Sequence, residues 1–242
     1  MYGFGLTGGH WGGAIADELA VPFADGMLVP LPAGLDPAAA ASVADNVSDA
    51  YRHIGPNVEA FRGEGRRSEV LVMGSTTRRT LFTASVPLYT ALIAKALGAE
   101  RVTLADARPA VRSEAAALGI DAVAPTELGG PPTAPLVADI SAHPKGVRKA
   151  IECTAPDGVC SSSGGLHRSV TLPFSTMYAR NVTLRVARAD ARSLIPHVLG
   201  LMASGDLRPE RVTTQQAPID DAIAALDVHM RGGSTKTILV DA

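Results

Sequence analysis

Cysteine is almost missing from this chain. Cys153 and Cys160 are the two present. They are too few for a disulfide framework and form no Cys-x-x-Cys pair, which excludes a self-contained cysteine zinc site and reads them as buried structural thiols. A surplus of charge of either sign is missing too: the formal net charge is −2, which argues against nucleic acid or an anionic membrane as the main partner. No uninterrupted apolar run reaches membrane-spanning length, and residues 1–20 have neither a basic start nor a signal-like core. A cytoplasmic address is the expectation. The six histidines are scattered with no ligand-spaced pair, and there is no internal repeat or low-complexity segment. What remains is a 242-residue chain, 46% hydrophobic and 19% charged, ordered and globular, the length of one large domain or of one domain and a fraction of another, with a sizeable core either way.

The stretch from Glu69 to Asp106 organises the rest. The apolar run Val70-Leu71-Val72-Met73 closes on Gly74; an amphipathic segment with Tyr89, Leu92, Ile93, Ala96 and Leu97 follows; Val102-Thr103-Leu104-Ala105 then ends in Asp106. Strand, glycine turn, helix, strand and acid make the layout of a βαβ dinucleotide unit, with phosphates at the helix N-terminus and a ribose on the acid. The turn itself departs from the pattern. From Ser75 to Pro87 it is longer than usual and lacks the second and third glycines, the ones that admit pyrophosphate and let the helix pack on the strand. Arg78 and Arg79 on it offer either a clamp for a phosphate or carboxylate or a solvated surface pair.

In chain order, residues 1–14 are rich in glycine and carry His10 and Trp11. Residues 14–22 and 27–32 read as short strands broken by proline. Asp36-Pro37 signals a helix start, with the acid at the N-cap and proline in the first turn. Val43, Val47, Ala50, Tyr51 and Ile54 follow at helical spacing and predict a helix ending at Gly55-Pro56, with a polar loop over 57–68. Asp45, Asp49 and Arg52 form a polar stripe on that helix. Beyond Glu69, strands near 70–73, 101–105, 121–124, 136–140, 158–162 and 182–186 alternate with helices near 86–97, 109–118 and 144–153. That alternation predicts a doubly wound α/β sheet of about six parallel strands. A glycine- and proline-rich loop at 126–135 reads as a rim loop. The tail adds a helix through Leu194 to Met202, a strand near 211–217, a helix from Asp220 and a last strand over 236–240.

Taken together, these segments resemble the medium-chain dehydrogenase/reductase family, specifically its zinc-type alcohol dehydrogenases. The resemblance rests on the run from Gly12 to Pro22, on Ala44-Asp45-Asn46-Val47-Ser48-Asp49-Ala50-Tyr51-Arg52, on the βαβ stretch, on Thr154-Ala155-Pro156-Asp157-Gly158-Val159-Cys160, and on the run from Ile219 to Leu226 with the lysine-bearing last strand. It implies a Rossmann-like domain over 37–204, with 1–36 and 205–242 as a remnant of a β-rich, GroES-like catalytic domain, and an N-terminally truncated chain that starts after the structural zinc lobe and the first catalytic zinc ligands. It places Asp45 at the position of a further ligand, Gly74 at the first glycine of the nucleotide turn, and Asp106 at the acid that contacts NAD ribose. One carboxylate does not hold Zn²⁺, so no catalytic zinc is expected in this chain alone. It also implies dimerisation through an edge strand near 182–186, and the alanine-, glycine- and arginine-rich usage fits a bacterial source.

Ligands favour the crevice at the sheet's C-terminal edge. His10, Trp11, Asp45, Asp49, Arg52 and His53 are the groups expected to face it. Asp45 and Asp49 one turn apart repel, which raises one of them into an acid/base range; alternatively Arg52 neutralises a solvated stripe. Three functional readings stand. The first is acid/base, non-redox chemistry (cyclisation, isomerisation or elimination) on a small biosynthetic intermediate, carried by Asp45, Asp49, Arg52, His10 and Trp11. The second is an NAD(P)-dependent oxidoreductase, zinc-free or completed by a separate chain carrying the missing front domain. The third is a non-catalytic binding or assembly subunit.

Overall fold

The computed structural model describes residues 9–16, 18–80, 84–130, 134–163, 169–241. The first part of the glycine-rich start (1–8), part of the long turn (81–83) and part of the rim loop (131–133) lie outside the described residues.

The sheet forms as the alternation of signals requires. Its strands are β1 (Val70–Met73), β2 (Val102–Ala105), β3 (Asp121–Val123), β4 (Ala134–Asp139), β5 (Thr154–Ser162) and β6 (Thr183–Val186), in the order β3-β2-β1-β4-β5-β6 and parallel at every pairing. The order reverses between β1 and β4, which opens a crevice beyond their C-terminal ends. Central strands of such a sheet are buried on both faces, and β1 shows why its sequence is continuously apolar. Val70 and Val72 enter one core cluster with Leu104 and Leu136, while Leu71 and Met73 enter another with Val137, Ile151 and Cys160. Both cysteines are buried free thiols, and burial pushes the Cys160 thiol up, with the Asp139 carboxylate adding to the effect.

Helices cover both faces. On the first face lie Ser48–Gly63, Ser85–Ala96 and Ala191–Ala203; on the second lies Pro144–Cys153. Segment Ser85–Ala96 buries nine residues around most of its circumference, because it is wedged between the sheet and Ser48–Gly63. The tail forms a separate two-stranded parallel pair, β7 (Gln215–Pro218) and β8 (Thr237–Val240), joined through a helix at Ala222–Met230.

Two stretches differ from the sequence expectation. Residues 14–22 and 27–32 form no strand among the described residues; a single helical turn occupies Ala24–Met27. Prolines 22, 30 and 32 interrupt both runs, and a strand without a hydrogen-bonded neighbour has nothing to hold it. The helix after Asp36 starts as expected, with the Asp36 carboxylate accepting from the Ala38 N–H at 3.0 Å and Pro37 in the first turn. It then breaks, passes through a π turn at Val43–Val47, and runs on through Pro56 to Gly63. Gly55 makes this passage possible: an added Cβ would stand 2.3 Å from the Tyr51 ring, which lies across it. The Tyr51 hydroxyl reaches past the proline to Glu59 at 2.9 Å, and the Asn57 amide donates to the His53 carbonyl at 3.3 Å. These bonds offset the ladder bond that proline removes.

Candidate functional site

The π turn sets the site. The Val47 N–H donates to the Ser42 carbonyl at 3.0 Å, five residues back, and the Ser48 hydroxyl to the Val43 carbonyl at 2.6 Å. Single π turns inside helices concentrate at functional positions, and this one carries Asp45 and Asn46. One turn on, Asp49 and His53 stand on the following helix. The His53 ring, 0% exposed, meets the Ser161 hydroxyl at 2.9 Å. Ser161 is next to the last residue of β5, so this bond fixes the start of the helix over the C-terminal edge of the sheet. Asp45 and Asp49 therefore sit at the edge where ligands bind this class of fold.

Asp45 does not stand alone. Its Oδ2 accepts from the Asn46 amide at 3.1 Å, and the Asn46 carbonyl oxygen accepts from Lys236 Nζ at 2.9 Å. Although part of Asp45 stays open to solvent, burial of the rest and the neighbouring Asp49 charge raise its pKa above the usual carboxylate value, against the opposing pull of Lys236 and Arg188. Lys236 moves the other way: burial lowers it, and Asp45 pulls it back up. The acid is raised, the base is lowered, and one amide links them.

The rest of the expected stripe divides. Arg52 turns away from Asp49 and approaches Asp190, Nη1 to Oδ2, at 3.8 Å. Asp49 instead faces His53, Oδ1 to Nε2, at 3.4 Å. His10 has a left-handed backbone (φ 60), and Trp11 is 47% exposed and folds over Gly9. Among the described residues no hydrogen bond or ion pair joins either to Asp45, so the structure does not bring them into the polar cluster.

At the nucleotide turn, Gly74 has the role that a first glycine requires, though for a different neighbour. A Cβ there would stand 2.4 Å from Asp106 Oδ2. The Asp106 carboxylate, 0% exposed, is closed by four hydrogen bonds: Ser75 N–H at 3.0 Å, Arg108 N–H at 2.8 Å, Arg108 Nε at 2.9 Å and Arg108 Nη2 at 2.7 Å. Arg112 also donates to its main-chain carbonyl at 2.7 Å. In this conformation no Asp106 acceptor is open to a ribose diol. The phosphate side is different, because the Thr76 hydroxyl oxygen is buried without a hydrogen-bond partner among the described residues, beside the exposed Arg78 and Arg79. An orphaned donor with two cations suits a phosphate oxygen. The residues thus fit the phosphates of a dinucleotide, while the ribose end fits only if Arg108 releases Asp106.

Zinc does not fit. Among the described residues no three of His, Cys, Asp and Glu converge, and Asp45 supplies one carboxylate where a catalytic zinc keeps about three protein ligands.

Three partners escaped the sequence reading. Lys236 lies 190 residues from Asn46, and only the fold joins them. Ser161 is one of two serines that close β5, with no local signal of a histidine partner. Asp139, at the end of β4, is buried and accepts from Ser141 Oγ at 2.6 Å and Ser162 Oγ at 2.7 Å. The one signal for it is the acid that closes an apolar run, the same signal that marked Asp106.

A parallel sheet in this strand order, with a glycine turn after β1 and an acid after β2, defines a Rossmann-like domain of the dinucleotide-binding type. Residues 86–204 match the family model of zinc-binding dehydrogenases, and the fold is that of alcohol dehydrogenases among the solved structures. Among solved structures, alcohol dehydrogenase TADH from Thermus sp. ATN1 superposes with a TM-score of 0.78 at 25% identity, covering 95% of this chain and 66% of that one. Two others share the fold. L-idonate 5-dehydrogenase from Escherichia coli str. K-12 substr. MG1655 has a TM-score of 0.67 at 21% identity, with 88% and 59% of the two chains covered. For 2R,3R-butanediol dehydrogenase from Bacillus subtilis the values are 0.70, 18%, 88% and 60%. The chain thus spans 66% or less of the length of these structures. No curated protein sequence matches it. Among the described residues no helix is long and apolar enough to cross a membrane.

Proposed function

We propose that the chain is the nucleotide-binding body of an alcohol-dehydrogenase-like oxidoreductase, with a nicotinamide dinucleotide lying against the Gly74 turn and a small alcohol or carbonyl compound at the adjoining crevice. The observation that carries this reading is the meeting, on one sheet edge, of a phosphate-suited turn holding the orphaned Thr76 hydroxyl and the Asp45–Asn46–Lys236 chain. Thr76, Arg78 and Arg79 would hold the phosphates. When bound, the nicotinamide supplies the acceptor or donor of a hydride. The chain's own contribution is proton movement: Asp45, the raised acid, and Lys236, the lowered base, give and take the proton that accompanies interconversion of a hydroxyl and a carbonyl. We also infer self-association through the exposed edge strand β6, which sedimentation of a strictly monomeric species would refute.

Thermal melts with each oxidised and reduced nicotinamide dinucleotide test the main reading. Ligand at 100-fold its dissociation constant adds about 2.7 kcal/mol, which for a chain of this size raises the melting temperature by about 5–10 °C. No rise with any of the four would end it.

A second reading, acid/base chemistry without redox on a small biosynthetic intermediate, is favoured by the closed Asp106 carboxylate. It keeps Asp45 and Lys236 in the same roles and requires no nucleotide. Under it the melts stay unchanged with nucleotide.

A further inference from the structure

His53 differs from an ordinary core histidine in one respect. A buried imidazole normally bonds through both nitrogens. Here Nδ1 lies 2.9 Å from the Ser161 hydroxyl, while Nε2 is buried and lacks a hydrogen-bond partner among the described residues. Asp49 Oδ1 lies 3.4 Å from that nitrogen, one helical turn back. The Asp49 side chain is 20% exposed, and Oδ1 is the oxygen toward the buried ring. Ser161 determines what the ring presents: when its hydroxyl donates to Nδ1, the proton of the neutral ring is on Nε2 and points at Asp49.

We propose that Asp49 is a general base of the crevice and that His53, seated on Ser161, is the positioning residue that aims it. The proposal rests on the reading that substrate occupies this crevice and deepens it: Asp49 takes the proton from the substrate oxygen first, and Asp45 and Lys236 carry it on. In the step it describes, a substrate O–H bond breaks, the proton joins Asp49 Oδ2, and the electron pair stays on the substrate oxygen. The Nε2–H contact holds Oδ1 in place throughout. His53 touches no substrate, being sealed beneath the helix. The charged groups around the acid pair are Lys236 and Arg188, acting on Asp45, and Arg52, which is paired to Asp190.

Ring nitrogen NMR of the unliganded protein at neutral pH tests the arrangement without a substrate. The expected spectrum has His53 protonated on Nε2, either as the neutral tautomer or as an imidazolium, since both keep a donor on Asp49. A neutral ring protonated on Nδ1 overturns the proposal, because a lone pair would then face the carboxylate. Ser161→Ala is expected to shift the His53 ring signals; unchanged signals also overturn it. The carboxyl carbon of Asp49 supplies a readout that packing alone would not move. In His53→Leu its chemical shift at neutral pH is expected to move as the donor is lost, and His53→Gln, which keeps a donor, is expected to recover at least half of that change. A carboxyl shift that stays put in a folded His53→Leu protein refutes the positioning role. Because none of these measurements uses a nucleotide, they can fail while the dinucleotide melts succeed, and the reverse.

Discussion

Two carboxylates at the same sheet edge have opposite surroundings. Asp106, at the end of β2, is buried and closed by four hydrogen bonds, three of them from Arg108. Asp45, in the π turn, keeps a solvent-facing side and a single amide bond, and its proton affinity is raised. A carboxylate fully matched by a cation stabilises the fold and has little left for a ligand; one held beside another acid, with its nearest cation reached through an amide, retains the capacity to exchange a proton. Resemblance points to both positions equally. The local chemistry separates them into a brace and a working group.

The comparison is tested most strongly at the brace. Arg108→Leu leaves Asp106 buried without its cation and is expected to cost about 3–5 kcal/mol, seen as a fall of roughly 10 °C in the melting temperature. A fall under 2 °C would mean that Asp106 is not held as described. Gly74→Ala pushes a methyl group against Asp106 Oδ2 and is expected to cost about 3 kcal/mol by chemical denaturation, since the pinned carboxylate has nowhere to retreat. Gly55→Ala drives against the Tyr51 ring and is expected to cost about 2 kcal/mol. If it melted as the parent does, the account of how the helix passes Pro56 would fail.

At the working group the expected effect is small and opposite in sign. Because the folded pKa of Asp45 lies above its unfolded value of 3.8, the folded state binds the proton more tightly, and its stability falls as pH rises from the unfolded pKa through the folded one. Asp45→Asn is therefore expected to raise the melting temperature slightly at pH 7. Near pH 3, where both states carry the proton, the gain should vanish. A loss of stability at pH 7 would show that ionised Asp45 is stabilising, and would place it with Asp106. Lys236 has the complementary sign: its lowered folded pKa means that the unfolded state holds the proton longer, so its contribution grows as pH rises toward 10.5.

Most of the sheet was legible in the chain before folding was considered, because parallel strands must be apolar on both faces and the helices between them carry caps and periodicity of their own. The start at Asp36-Pro37, the run closing on Gly74 and the acid at 106 all rest on local rules. Gly55-Pro56 misled for a local reason as well. Proline and glycine read as a stop, and the Tyr51 ring and its bond to Glu59, which carry the helix past them, appear only in three dimensions. The stripe of Asp45, Asp49 and Arg52 was visible as spacing, but its partners were not: Asp190, Ser161 and Lys236 come from distant parts of the chain.

The sequence by itself determined the α/β class, the parallel sheet and the positions of its turning points, since burial on two faces and helix capping are decided by neighbours a few residues apart. Only the tertiary structure decided which acid is a brace and which can work. A carboxylate's proton affinity depends on the charges and donors brought to within a few ångströms of it, and here Lys236 and the acid it serves are brought together by folding from nearly opposite ends of the chain.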